Sequence, residues 1–165
     1  MLIAAVIYPL LAAVEKQTWY PKLFVEKKPG EIRKSLLMLF LTFASLISIS
    51  WGIFAQPHIA AASILMWGTG DAAAALIGVP FGKHKVKAKA ADGKKSWEGS
   101  CAMFFVAFLC GLSVLLLTQK LSVLKALLSA FAGALSGTAA ELFSPGEYDT
   151  VTVPIAILTV LLIFL

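Results

Sequence analysis

The apolar residues of the chain fall into six runs separated by short polar segments. The runs are Leu2 to Val14, Ser35 to Ala55, His58 to Pro80, Ser100 to Thr118, Leu121 to Phe143 and Val151 to Leu165. A helix needs about 20 apolar residues to cross a hydrocarbon core of about 30 Å, so the middle four runs are long enough to span. The first and last runs are short for this. The pattern predicts an all-α fold, a polytopic transmembrane bundle of about six helices.

Composition points to the same environment. The 165 residues are 59% hydrophobic and 14% charged, whereas soluble domains are roughly 45–50% apolar. At this length we expect one integral membrane domain over residues 1–165. Any chemistry must then lie in short loops or within the helices.

The basic residues are concentrated in two loops, which explains most of the net charge of +5. One loop follows the first apolar run, and the other follows the third and carries Lys83, Lys85, Lys87, Lys89, Lys94 and Lys95. Because cytoplasmic loops are enriched in Lys and Arg, we expect both loops on the cytoplasmic face, together with Ser144 to Thr150. This distribution encodes topology and gives no reason to expect a nucleic-acid partner. Nothing in the pattern indicates an oligomeric state.

An acidic residue, Asp71, interrupts the third apolar run about nine residues, or roughly 14 Å of helix, from its predicted cytoplasmic end. An unpaired carboxylate there costs several kcal/mol, so such residues usually have a function. The alternative is an Asp that only hydrogen-bonds a neighbouring helix. A small-residue face permits close packing or the approach of a ligand, and comprises Gly68, Gly70, Ala74, Ala75 and Gly78.

The loop after the third run begins GVPFGKHK, which is not a phosphate-binding P-loop. Gly78 and Gly82 enclose one residue too few, and His84 follows Lys83 where a Ser or Thr is required. The lysines of this loop are interpreted mainly as anchors to anionic headgroups. His84 has no partner at metal-ligand spacing and is predicted to be a loop residue.

The same loop ends in DGKKSWEGS, where the fourth run begins. Ser96 is a good helix N-cap, and Glu98 falls in the first turn, where the helix dipole favours a carboxylate. A functional interpretation is compatible with capping, because Lys94 and Lys95 would stand before a helix N-terminus that favours phosphate oxygens.

The fifth run leads down one helix face to a second acidic residue. Gly133, Gly137 and Glu141 are spaced i, i+4, i+8, which predicts a close helix neighbour. Asp149 follows on the same side, while Glu147 is interpreted as a solvated charge. Carboxylates of Asp71, Glu98, Glu141 and Asp149 could hold Mg²⁺ against the phosphates of a nucleotide.

With these motifs, the chain resembles the polyprenol kinase family of membrane enzymes, which includes phytol kinase, dolichol kinase and the CTP-dependent diacylglycerol kinase. The matching pieces are GDAAAALIGVPFGKHK, KKSWEGS and the acidic segment ending DTVTVP, so the family-like core covers about residues 66–154. Members often have further N-terminal helices with a basic motif and a His, which this sequence does not match.

The resemblance implies transfer of a nucleotide γ-phosphate, commonly from CTP with Mg²⁺ as the metal–nucleotide complex, to the hydroxyl of a membrane lipid alcohol. It implies catalytic roles for Asp71 and Glu141, with Asp71 acting as base or metal ligand. It implies metal binding by Asp71, Glu141 and Asp149. The nucleotide site would comprise Gly70, Asp71, Gly82, Lys83, Lys94, Lys95, Ser96 and Glu98.

Two alternatives stay open at this point. A cytidylyltransferase that makes CDP-diacylglycerol would share the GD, GKHK and KKSWEG pieces, although SPGEYDT is a poor match to the usual C-terminal signature of that family. A small transporter or a non-enzymatic membrane subunit would also explain Asp71 and the glycine faces. Nucleotide binding separates the last class from the first two.

Overall fold

The computed structural model describes residues 9–10, 12–14, 17, 30–86, 95–118, 121–145 and 148–164. Its helices are α1 (Glu31–Ile47), a π-helical segment (Ser48–Ile53), α2 (Pro57–Phe81), α3 (Trp97–Thr118), α4 (Val123–Phe143) and α5 (Asp149–Phe164). Residues 9–10 and 12–14 of the first apolar run are also helical, and no strand occurs in these ranges. The predicted all-α fold is confirmed.

The helix boundaries follow local sequence signals. Pro57 occupies the first turn of α2, where its missing N–H costs nothing. The Ser122 side chain accepts a hydrogen bond from Lys125 N at 3.4 Å and so caps α4. The Ser96 side chain accepts one from Gly99 N at 3.3 Å, which confirms the predicted cap of α3. Helix α3 therefore begins at Trp97, three residues before the predicted run, because the polar cap and first turn are helical too.

Four helical spans are long and apolar enough to cross a membrane: Ile32–Ile53, Pro57–Phe81, Trp97–Thr118 and Val123–Phe143. These are the four runs that the sequence predicts as spanning, and Asp149–Phe164 is a shorter apolar helix, as expected. Large apolar side chains face outward, including Leu117 and Val79, which are 86% and 84% exposed. This arrangement is typical of a multi-pass membrane protein. The cytoplasmic placement of the basic loops stays a prediction.

The chain divides into two compact units, Met1–Ser45 and Leu46–Leu165. In the second unit, helices α2 to α5 pack around Met66, which is fully buried. A Cβ atom at Gly133 would lie 3.1 Å from Met66 Cε, and one at Gly111 would lie 2.5 Å from Met66 Sδ. Glycine therefore makes room for this side chain on both α3 and α4, and the candidate site lies entirely within this unit.

Of the two predicted small-residue faces, the one on α4 packs closely on a neighbouring helix, whereas the one on α2 does so only in part. On α4, a Cβ at Gly137 would lie 2.8 Å from Ile157 of α5, which confirms a close neighbour for that face. On α2, Gly70 and Gly78 pack against α3, but a Cβ at Gly68 would contact nothing within 4 Å. Gly68 does not pack on a neighbouring helix, because two residues along a helix turn the side chain to nearly the opposite face. The alternative for this position, the approach of a ligand, stays a prediction.

Candidate active site

The basic loop between α2 and α3 is closed at its base by backbone hydrogen bonds. Val86 N donates to Lys95 O and Trp97 N donates to His84 O, both at 3.0 Å. We call residues 82–86 and 95–97 the loop neck. It brings the end of α2 against the beginning of α3 and so fixes where the flanking lysines emerge.

Close approach at the loop neck explains Gly82, which is predicted to contact a nucleotide. A Cβ atom at this position would lie 2.5 Å from Ser96 Oγ and 2.8 Å from Ser96 Cβ. At Gly78, one turn earlier, a Cβ would lie 3.1 Å from the same oxygen and 3.3 Å from Gly99 Cα. Ser96 is thus buried between α2 and α3, where it caps α3. Its side chain occupies space that a Cβ atom at either glycine would crowd.

The carboxylate of Glu98 fixes the other side of the neck. It accepts hydrogen bonds from Lys83 N at 3.3 Å and from His84 N at 3.2 Å, and its Oε1 is hydrogen-bonded to the ring nitrogen His84 Nδ1 at 2.7 Å. Backbone N–H groups that could have faced a phosphate are therefore used to hold the turn. His84, predicted to be a loop residue, lies in the loop and also binds Glu98. The nucleotide-binding role of Glu98 stays a prediction.

Lys95 reaches across from the neck to the end of α4. Its ammonium lies 3.2 Å from Glu141 Oε1 and donates to the carbonyl oxygens of Glu141 and, at 3.1 Å, Ser144. The Lys95 and Glu141 side chains are only 11% and 10% exposed. An ammonium has three donors, and these contacts use all of them. A phosphate oxygen would have to displace one of these acceptors to bind Lys95.

The second carboxylate oxygen of Glu141 is engaged as well. Ser100 Oγ on α3 donates to Glu141 Oε2 at 3.4 Å. One turn before Glu141, the hydroxyl of Thr138 is buried and has no hydrogen-bond partner within the described part of the chain. The sequence pattern does not mark Ser100 or Thr138 as functional. Serine and threonine are common in transmembrane helices, so residue type alone gives no signal. Only the contacts in the structure distinguish Ser100 and Thr138 from other such residues.

Two further carboxylates approach this ion pair. Asp71 of α2 lies close enough to Asp149, Glu141 and Lys95 to interact with them electrostatically, and Asp149 also interacts with Lys95. Asp149 begins α5, where its side chain accepts a hydrogen bond from Thr150 N at 2.7 Å. We call Asp71, Glu141 and Asp149 the acidic cluster. Three helices contribute to it, and the loop neck supplies the adjacent lysine.

The acidic cluster fits a metal only in part. Across the described ranges, no group of three or more His, Cys, Asp and Glu side chains is arranged to hold a metal ion. Mg²⁺ commonly binds through one or two carboxylates, with water and substrate phosphates completing its shell. Asp71 and Asp149 could supply such ligands, whereas Glu141 is already paired with Lys95. The residues fit a magnesium–nucleotide complex better than a metal held by protein alone.

The remaining predicted site residues are distributed as follows. Gly70 packs on α3, because a Cβ there would lie 3.1 Å from Met103 Cγ. Lys83 is an exposed residue of the loop neck. Lys94, like Glu147, lies outside the described residues. The structure therefore brings Gly82, Ser96 and Glu98 to the loop neck and joins it through Lys95 to the acidic cluster.

Comparison with known proteins finds similarity to a phytol kinase from Synechocystis sp.. The two sequences are 34% identical over 99 residues, which is 60% of this chain and 41% of that kinase. The chain thus matches less than half the length of this relative. No family model matches the chain. No solved structure matches it either.

Proposed function

We propose that the chain is a lipid kinase that transfers the γ-phosphate of a nucleotide, CTP in preference to ATP, to the hydroxyl of a membrane lipid alcohol. The observation that carries the proposal is the electrostatic proximity of Lys95 to the three carboxylates of the acidic cluster, which come from three different helices. The similarity to a phytol kinase supports the same class of reaction. The preference for CTP comes from the family resemblance alone.

Phosphoryl transfer asks a protein mainly for positioning and for charges that stabilise the transferring group. The loop neck would hold the exposed Lys83 toward the phosphates, and Lys94 stays a predicted nucleotide-binding residue. The ion pair of Lys95 with Glu141 would keep α3 and α4 in register beneath them. Bound Mg²⁺ would supply additional neutralisation of phosphate charge.

Asp71 is the residue that we place nearest the chemistry. It would either orient the metal–nucleotide complex or accept the proton of the lipid hydroxyl. In the second role the hydroxyl oxygen forms a bond to the γ-phosphorus, the bond from that phosphorus to the β,γ-bridging oxygen breaks, and the proton passes to the Asp71 carboxylate. The products are a lipid phosphate and a nucleoside diphosphate.

The test is incubation of the purified protein in vesicles with γ-labelled CTP or ATP and a panel of lipid alcohols that includes phytol, farnesol, dolichol and diacylglycerol. A labelled lipid and release of CDP or ADP are expected. Release of pyrophosphate from CTP with phosphatidate would identify the cytidylyltransferase alternative instead. Absence of Mg²⁺-dependent CTP binding in folded protein would favour a transporter or subunit.

A further inference from the structure

A groove lies beside the acidic cluster, where α4 ends and α5 begins. Its volume is about 380 Å³, and its walls are formed by the apolar or aromatic side chains of Ala140, Phe143, Pro145, Tyr148 and Val151. Among the described residues, none of the side chains that line it is charged. These residues offer no counter-charge to a nucleotide, which brings several negative charges, so the groove suits an uncharged apolar ligand.

Two hydroxyl groups also line the groove, and their hydrogen bonds leave one acceptor free. Thr152 Oγ1 donates to Tyr148 O at 3.0 Å. A second hydrogen bond, 2.8 Å long, joins the hydroxyls of Ser144 and Thr152, and either oxygen can be the donor. With either direction Ser144 Oγ has an unused lone pair. This lone pair can accept a hydrogen bond from a ligand O–H. An apolar groove with one such acceptor suits the end of an alcohol.

Ser144 belongs to both the groove and the charged site. Its side chain lines the groove, while its carbonyl oxygen accepts a hydrogen bond from Lys95 at 3.1 Å. Tyr148, on the facing wall, directly precedes Asp149 of the acidic cluster. A hydroxyl bound at Ser144 would therefore stand next to the groups proposed to handle phosphate.

We propose that this groove binds the hydroxyl-bearing end of the lipid alcohol, a proposal that rests on the proposed kinase function. Ligand pockets range from about 300 to 1,000 Å³, so this groove at the small end takes only the first units of the chain. The rest of the tail stays in the bilayer, since the groove lies at the ends of apolar helices. Selection among alcohols would thus depend on the few carbons next to the hydroxyl.

The first experiment measures binding without catalysis. A farnesol analogue with a diazirine near its hydroxyl is photolysed with the full chain in vesicles, and the labelled residues are mapped by mass spectrometry. Label is expected at residues 140–152, and excess unmodified farnesol should remove it. Label spread evenly over the outward faces of the helices, with no competition, would mean ordinary bilayer contact and would overturn the proposal.

The second experiment fills the groove. Ala140→Phe should raise the KM for the lipid alcohol about tenfold, because the larger side chain takes up space that the lipid would occupy, and lost apolar contact in a pocket costs at least about tenfold. The KM for nucleotide should stay unchanged. Ala61→Phe is the matched control, since Ala61 is exposed near the beginning of α2, at the end of that helix away from the loop neck. An unchanged lipid KM in Ala140→Phe would overturn the proposal.

Tyr148→Ala provides an independent variant in case Ala140→Phe does not fold, because Tyr148 is 51% exposed. It should lower the competable label and raise the KM for the lipid in the same direction. The two experiments also separate the proposals. Competable label in the groove without any phosphate transfer would contradict the kinase function and keep the groove as a site for lipid alcohols.

Discussion

Lys95 and Glu141 form a buried ion pair that ties the beginning of α3 to the end of α4, with 3.2 Å between Nζ and Oε1. The same ammonium also binds the carbonyl oxygens of Glu141 and Ser144, where a helix end has unpaired carbonyl groups and a partial negative charge. Lys95 thus caps α4 and compensates one carboxylate of the acidic cluster. We infer that it is a positioning residue.

Removal of either partner should destabilise the bundle more than removal of both. Lys95→Met or Glu141→Gln leaves a buried group without its partner, which costs about 3–5 kcal/mol in buried pairs. The double variant should cost clearly less than the sum of the two. Unfolding of the purified variants in mixed micelles measures this coupling. Strictly additive losses would show that the ion pair contributes nothing to the fold.

The positioning role makes a separate kinetic prediction. Lys95→Arg keeps the charge but brings a planar group that cannot reproduce the point contacts of an ammonium. We expect a fall in kcat with little change in the KM for nucleotide, because Glu141 shifts while the phosphate contacts remain. A large rise in the nucleotide KM with unchanged kcat would instead assign Lys95 to phosphate binding.

The neck glycine offers a test that needs no activity. Gly82→Ala should destabilise the protein by about 1–3 kcal/mol, the usual cost of overpacking, because its Cβ would lie 2.5 Å from Ser96 Oγ. Gly68→Ala is the matched control. It has open space around its Cβ position, and replacing a helical glycine should be neutral or stabilise by about 0.5–1 kcal/mol. Equal effects of the two substitutions would refute the close packing at the neck.

The sequence predicts local features well because their causes are local. The Ser96 cap and the Gly133–Gly137 face depend on residues within a few positions of each other, and both are confirmed. The contact of Lys95 with Glu141 joins residues 46 positions apart, so no spacing rule could have found it. The sequence therefore identifies candidate acidic residues more readily than it predicts which lysine contacts them.

His84 is a second residue whose contact the sequence does not predict. The sequence predicts a loop residue with no partner at metal-ligand spacing and gives no sign of the contact with Glu98, which lies 2.7 Å from its ring. The pairing arises because the loop neck folds α2 and α3 together, which brings residues 14 positions apart into contact. Glu98 can still contribute to nucleotide binding, but its observed hydrogen bonds explain its presence without a ligand.

The Glu98 contacts predict unequal effects of two substitutions. Glu98→Ala removes the acceptor for Lys83 N and His84 N as well as the contact with the His84 ring, whereas His84→Ala removes the ring contact alone. We expect faster amide hydrogen exchange at residues 83–84 and a raised nucleotide KM in Glu98→Ala, and smaller changes in His84→Ala. His58→Ala is the control, because His58 is exposed near the beginning of α2. Identical exchange in all variants would contradict the proposed function of Glu98 in the neck.

Asp71 provides the sharpest test of the chemistry. Asp71→Asn keeps the size of the side chain but removes its charge, so the fold and the competable photolabelling by the farnesol analogue should persist. Phosphate transfer should fall by about 10²–10⁴-fold if Asp71 is the base, the usual contribution of a general base. Asp149→Asn should instead raise the Mg²⁺ concentration needed for half-maximal rate, since Asp149 is the other carboxylate free to bind a metal. A normal turnover in Asp71→Asn, measured at saturating Mg²⁺ and lipid, would exclude this residue from both roles.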